Sequence, residues 1–207
     1  MSVSPTSIVA TLTEIELPDL FNPYTDLDPL HDLSDAPARR RQNLLLYLQQ
    51  LKASKPTELW VAESGSHTGT RRSGLPLVPT TEMEKLNERF GVDGFRTATK
   101  GEDRGGMTAS YVWQAALQRP QLPLFWNAVM AHPHRPGQPY RNRPTRRAEL
   151  VAYRPALAQL LALFQPPEII AIGRVAETIL RNMGVAFRYV RHPAQGGAGE
   201  FRRAIEH

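Results

Sequence analysis

A carboxylate, an amide and an imidazole stand at three separate places in this chain where an apolar run meets a turn: Glu63, Asn127 and His192. Glu63 ends the run ELWVAE (58–63). Asn127 follows Phe125 and Trp126 in PLFWNAV (123–129), and His192 follows the run 186–191. If these runs are parallel strands, their carboxyl ends open on one crevice, which is where open α/β sheets bind ligands. The three side chains suit a pocket for a polar heterocycle. A carboxylate can hold or polarise water, and an amide can read donors and acceptors on a ring edge. An imidazole can donate to an oxygen that gains charge as a bond breaks.

Each residue also has a plainer reading. Glu63 is costly to bury alone and can pair with Arg71 or Arg72 in the loop that follows. Asn127 can satisfy backbone at a strand end, and His192 can be a surface histidine. Pro193 restricts His192 to extended geometry, and Gly196-Gly197 permits a tight turn close to a ligand. His132-Pro133-His134 has chelating spacing, but no acid follows before Glu149, so no metal is expected. Segment 65–74 has phosphate-loop composition without the Gly-Lys-Ser/Thr ending, which argues against nucleotide hydrolysis. The chain has no cysteine. That excludes disulfides, thiolate zinc sites, a cysteine nucleophile and a cysteine-held iron–sulfur cluster. No cofactor is expected.

The elements that must position these residues alternate. Leu44, Tyr47, Leu48 and Leu51 recur at helical spacing within 38–53. Thr81 and Glu84 form a capping-box pattern ahead of a helix over 81–90, closed by Gly91. Residues 108–117 read as helix and 123–129 as strand, followed by a Pro/Arg-rich loop over 132–144. Thr145 can cap a long helix whose core face runs from Leu150 to Phe164. Residues 167–173 and 186–191 read as strands, and 174–183 and 199–206 as helices. Strands separated by helices predict an α/β fold, a small four-stranded parallel sheet flanked by helices in three layers. The chain of 207 residues divides into an acidic N-terminal arm, 1–37, and a single α/β domain, 38–207.

Charge is unevenly spread. Residues 1–37 hold seven acids and no Lys or Arg, so they carry −7 and leave +12 on the remainder of a chain whose net charge is +5. Arginines cluster at 39–41, 71–72, 141–147 and 202–203. Clustered arginine fits a polyanion partner, and equally a solvated basic face. No apolar run reaches membrane-span length, and the first residues lack a signal-peptide pattern. The expectation is a cytoplasmic monomer with no membrane partner.

In order along the chain, these segments resemble the uracil-DNA glycosylase superfamily. Ala62-Glu63-Ser64-Gly65-Ser66 stands in the register of a GEAPG motif, and Gly74-Leu75-Pro76-Leu77 in that of TGxPF. Asn127 ends a strand, and Asn142-Arg143-Pro144-Thr145 through Glu149-Leu150 is similar to NRxPTxxEL. Residues 169–176 match a strand ending in Gly ahead of a helix, and His192-Pro193-Ala194 matches the last motif, His-Pro-Ser/Ala.

The resemblance implies an enzyme that flips a damaged base from DNA and hydrolyses its N-glycosidic bond. It implies Glu63 for positioning water and His192 for the departing base as the catalytic pair. Asn127 would read the base, beside Ser64, Gly65, Ser66 and Leu77. Arg71, Arg72, Arg141 and Arg143 would contact phosphates, and Gln195, Gly196 and Gly197 would lie near the minor groove. DNA with a damaged base, uracil or a related deaminated base, would be the partner. The sequence departs from the pattern where Ala62 and Gly65 replace Gly and Pro, where Leu77 replaces a stacking aromatic, and where Ser66 replaces a bulky tyrosine. Two rivals follow: a member that binds DNA without cleaving, and a metal-dependent hydrolase using His132 and His134. The acidic arm is a further open element; folded over the basic face, it would restrict DNA access.

Overall fold

The computed structural model describes residues 3–101, 105–194 and 196–206, with backbone only for Met107 and Glu206. The elements run α1 (Pro5–Thr13), β1 (Leu20–Phe21), α2 (Ala36–Ser54), β2 (Glu58–Ser64), α3 (Thr70–Ser73), α4 (Met83–Phe90), α5 (Met107–Leu117), β3 (Leu124–Val129), β4 (His132–Arg135), β5 (Gln138–Asn142), α6 (Arg147–Phe164), β6 (Glu168–Ile172), α7 (Arg174–Asn182), β7 (Arg188–Val190) and α8 (Ala198–Glu206). Four strands form one parallel sheet in the order β3-β2-β6-β7. Chain direction across the sheet reverses between β2 and β6, so the crevice at their carboxyl ends is the switch point where such sheets bind ligands.

The apolar runs form strands because both faces are covered. Every residue of β3 is buried. Trp60 and Phe125 are register partners on one face, where Phe201 of α8 meets Trp60 and Trp113 of α5 meets Phe125. α7 packs on β2, β3 and β6, and α6 on β3.

Residues 3–37 are built into this core. Ile8, Leu12 and Tyr24 are fully buried, α1 packs on α2 and α6, and β1 pairs antiparallel with β4. Each fully buried aliphatic side chain contributes about 1.5–3 kcal/mol. Two of the acids of this segment are internal counter-ions, while Glu14, Glu16 and Asp35 are exposed. Asp32 pairs with Arg40, both fully buried, and Asp28 pairs with Arg71.

Three local expectations are corrected. The 132–144 loop is instead the β4–β5 hairpin, turning at Gly137 with φ +67°. Prolines 133, 136 and 139 argue against strands; Pro139 lies on the edge strand β5, where the missing N–H is tolerated, and Pro136 at the turn, while Pro133 lies in β4 between β1 and β5. The Thr81/Glu84 capping box does not form; a 3₁₀ turn at Thr80–Glu82 leads into α4 without a side-chain cap. Thr145 does not cap α6, because its N–H and hydroxyl serve Glu63.

Candidate active site

β2 and β3 end, and β7 hands over to a loop, around one cavity of about 590 Å³ lined by Glu63, Ser64, Gly65, Ser66, Leu77, Asn127 and His192 among others. Glu63 is half-buried. Its Oε1 accepts from both the backbone N–H and the hydroxyl of Thr145, each at 3.3 Å, while Oε2 accepts no hydrogen bond among the described residues. The loop entering α6 therefore holds the carboxylate and leaves one oxygen for a ligand or water. Glu63 pairs with neither Arg71 nor Arg72.

Asn127 is fully buried on β3 and faces the same way as Ala62, its register partner. Its Nδ2 lies 3.0 Å from Thr70 Oγ1, and its Oδ1 is buried with no partner among the described residues. Thr70 can serve only one end of the amide, so whichever way the amide turns, one polar atom remains for a ligand. Leaving such an atom unsatisfied costs about 1–3 kcal/mol.

His192 is half-buried, and the backbone N–H of Ala194 donates to its Nδ1 at 3.2 Å. That bond requires the lone pair on Nδ1, so the neutral ring carries its proton on Nε2. Burial lowers its pKa below the usual 6.5, with Glu63 acting weakly in the opposite direction. The ring is therefore a neutral donor at pH 7. Gly173, which follows β6 with φ +86° and ψ 171°, makes room for it: a Cβ there would lie 3.1 Å from His192 Cβ.

The loop after Glu63 is shaped by close packing. A Cβ on Gly65 would meet Ala131 O and Thr70 Cβ, each at 2.9 Å, and its N–H donates to Ala131 O at 2.9 Å. Gly65 lines the pocket, but its N–H is already used. Leu77 lines it from the left-handed region, φ +60°. For a leucine this stores about 1–3 kcal/mol of strain.

Most of the expected phosphate contacts are structural instead. Arg71 is buried: it donates to Asp28 Oδ2 at 3.0 Å and Pro139 O at 2.7 Å, and its guanidinium carbon sits 3.8 Å from the Phe21 ring centre. Arg72 is buried and donates to His67 O at 3.2 Å. Arg143 grips Glu149 with both terminal nitrogens and donates to His134 O and Asp19 O. Arg141 remains exposed. Gly196 is exposed, but Gly197 is turned inward, where a Cβ would come within 2.2 Å of His192 O. Gln195 lies outside the described residues.

His132 is fully buried, with Nδ1 beside Arg71 Nη1 at 3.2 Å and Nε2 beside Asn142 Oδ1 at 2.9 Å. Both ring nitrogens are thus engaged within the protein, and no group of three or more His, Asp or Glu among the described residues converges as a metal site would. The site also contains Thr70, Thr145, Gly173 and His67. Thr145 belongs to the NRPT segment and Gly173 follows an apolar run; Thr70 and His67 carry no sequence signal beyond a polar loop.

No protein-family model and no curated protein matches the sequence. The fold does have a match: SMUG2 of Pedobacter heparinus, a uracil-DNA glycosylase family member, superimposes with a TM-score of 0.62 at 8% identity, over 98% of this chain and 93% of that one. The chain therefore has the three-layer α/β/α fold of a uracil-DNA glycosylase, with its cavity at the carboxyl ends of the parallel strands.

Proposed function

We propose that this chain is a DNA N-glycosylase that accepts a flipped-out uracil or related deaminated base and hydrolyses the bond joining it to the sugar. The observation that carries the reading is the buried amide end of Asn127, without a partner among the described residues, in a cavity that also holds a neutral His192 Nε2–H. A uracil ring presents an N–H between two carbonyls. Asn127 Oδ1 would accept from that N–H.

As the bond to C1′ breaks, its electron pair stays with the base and charge gathers on a carbonyl oxygen. His192 Nε2–H would donate to that oxygen, a contribution of about 3–4 kcal/mol. The sugar becomes electron-poor, and the Glu63 carboxylate would orient a water toward C1′ and take its proton as the new C–O bond forms. Flipping itself costs a few kcal/mol and is cheapest at a mismatch.

The rival is a protein that binds DNA without cleaving it. The tied Gly65 N–H and the aliphatic Leu77 favour it, because they remove polar and stacking contacts from the base. Oligonucleotides carrying uracil, hypoxanthine or xanthine, single- and double-stranded, separate the two after alkaline cleavage of abasic sites. Strand scission with at least one lesion is expected. DNA retained without scission at any lesion would establish the rival.

A further inference from the structure

A chain of hydrogen bonds runs from the buried N-terminal segment to the mouth of the pocket. Asp28 Oδ2 accepts from Arg71 Nη2 at 3.0 Å, Arg71 Nη1 lies 3.2 Å from His132 Nδ1, and His132 Nε2 lies 2.9 Å from Asn142 Oδ1. A guanidinium has no acceptor and always donates. Nδ1 of His132 must therefore accept, its single proton must sit on Nε2, and the Asn142 atom facing it must be the oxygen. Burial first, and then Arg71, push the His132 pKa down to about 3, so the ring stays neutral and the polarity holds. The backbone N–H of His67 reaches the same Oδ1 at 3.4 Å. Both Nδ2 hydrogens of Asn142 are left without a partner among the described residues.

Asn142 is exposed and stands at a junction. It lines the main cavity and also a shallower groove of about 330 Å³ shared with His67, Arg135, Tyr140 and Arg141. Arg135 and Arg141 are exposed and have no carboxylate partner among the described residues; Arg141 reaches only Gln138 Oε1, at 3.4 Å. Two acceptors of the groove are already engaged. Asn142 Oδ1 is held by His132, and the Tyr140 hydroxyl is turned inward, donating to Asp28 Oδ1 at 2.9 Å. Beside them stand two cations and an amide N–H₂, a set that suits an anion whose oxygens only accept.

We infer that the groove on the β4–β5 hairpin binds the phosphodiester backbone of the strand adjoining the pocket, through Arg135, Arg141 and the Nδ2–H donors of Asn142. The inference rests on the nucleic-acid reading of the pocket, but it involves no base and no excision. It also replaces Arg71, Arg72 and Arg143, whose guanidiniums the interior consumes, with a different basic surface.

The test is the affinity of a short labelled single-stranded oligonucleotide carrying one tetrahydrofuran abasic site, measured by anisotropy over a salt series. Such a site cannot be excised and offers no base. In Arg135→Ala/Arg141→Ala the slope of log affinity against log salt should fall by about 1.4, at ~0.7 per phosphate contact on a single strand. Asn142→Asp should weaken binding about tenfold or more, and more than Asn142→Ala, because it exchanges charge-assisted donors for a negative charge. Arg135 and Arg141 are exposed and hold no buried partner, whereas Asn142 accepts from the buried His132 Nε2–H, so urea unfolding of both Asn142 variants accompanies the binding series and separates lost stability from lost affinity. Lys52→Ala, at the end of α2 that leads into the amino end of β2, should leave the slope unchanged. An unchanged slope in the double variant, or wild-type affinity in Asn142→Asp, overturns the inference. So does competition by inorganic phosphate beyond that of chloride at equal ionic strength, which would assign the groove to a free anion. None of these outcomes depends on whether the protein excises a base.

Discussion

The backbone N–H of Ala194 donates to Nδ1 of His192 at 3.2 Å, and this one bond decides which ring nitrogen can serve a substrate. With Nδ1 committed, Nε2–H is the only donor the neutral ring can offer. Protonation would place a hydrogen against the Ala194 N–H, so it is opposed by this bond as well as by burial.

His192 should therefore titrate below its usual 6.5, with the Nε2–H tautomer above that midpoint. Glu63 raises this pKa slightly, so Glu63→Gln should move the midpoint further down. Nitrogen-15 NMR of the imidazole reads both. An Nδ1–H tautomer at pH 8, or an upward shift in Glu63→Gln, would remove the assigned geometry. In single-turnover assays His192→Ala should lose about 10²–10³ in rate, with a far smaller change in DNA affinity.

Gly173→Ala should damage the same residue from the other side. Its φ and ψ lie in a region that is essentially glycine-only. A Cβ would press on the imidazole at 3.1 Å from Cβ and 3.5 Å from Cδ2. Displacing a catalytic group by a fraction of an ångström to 1 Å can cost up to ~10²-fold. The expected signature is a slower single-turnover rate together with changed His192 ring shifts. A wild-type rate in a folded Gly173→Ala protein would show that the close approach is unimportant.

Much of this site is legible in the sequence because a polar residue interrupting an apolar run marks a strand end. Glu63 lies one residue before the end of β2, Asn127 two before the end of β3 and His192 two after β7, so the signal marks the carboxyl halves of the strands to within two residues, and the alternation of strands and helices places them together. The partners are not legible. Thr145 reads as a helix cap and Thr70 as loop polarity, yet they bond Glu63 and Asn127. Arg71, Arg72 and Arg143 read as exposed because they lie in polar, Gly- and Pro-containing loops. The acids that bury Arg71 and Arg143 are Asp28 and Glu149, and Asp28 is 43 residues away from Arg71. The hairpin is hidden because its prolines suppress the strand signal that alternation would otherwise give.

His132 should make stability depend on pH. Its folded pKa is about 3 and its unfolded value 6.5. Between these values the unfolded chain binds a proton that the folded one refuses, so stability is full above pH 6.5 and falls as the pH drops. The loss is about 1.4 kcal/mol per pH unit. From pH 6.5 to 5 that amounts to roughly 2 kcal/mol, to which His192 adds in the same direction. Arg71, Asn142, His134 and His67 surround the ring, and none supplies a negative charge. Urea unfolding at the two pH values, compared with His132→Gln, checks this: the variant should lose that part of the slope. An equal slope in both proteins would show that His132 is not the group responsible.

The acidic N-terminal segment should prove indispensable for folding. Deleting residues 1–37 removes Ile8, Leu12 and Tyr24 from the core and leaves Arg40 and Arg71 buried without Asp32 and Asp28. Had the segment merely shaded a basic face, its deletion would tighten DNA binding. The packing instead predicts a chain that fails to unfold cooperatively in urea. The sharper test is Asp28→Leu. Breaking one partner from a buried pair costs about 3–5 kcal/mol, because the remaining charge is uncompensated. Burial by itself would raise the Asp28 pKa, but the Tyr140 hydroxyl and Arg71 outweigh it and hold the carboxyl below its usual range. Its contribution is therefore present at neutral pH and is lost as the pH falls through the folded pKa. Replacing both partners, Asp28→Leu with Arg71→Met, should recover much of the loss, since apolar pairs of similar volume often match a buried ion pair. If the double variant is no more stable than Asp28→Leu alone, Asp28 acts by some route other than neutralising Arg71.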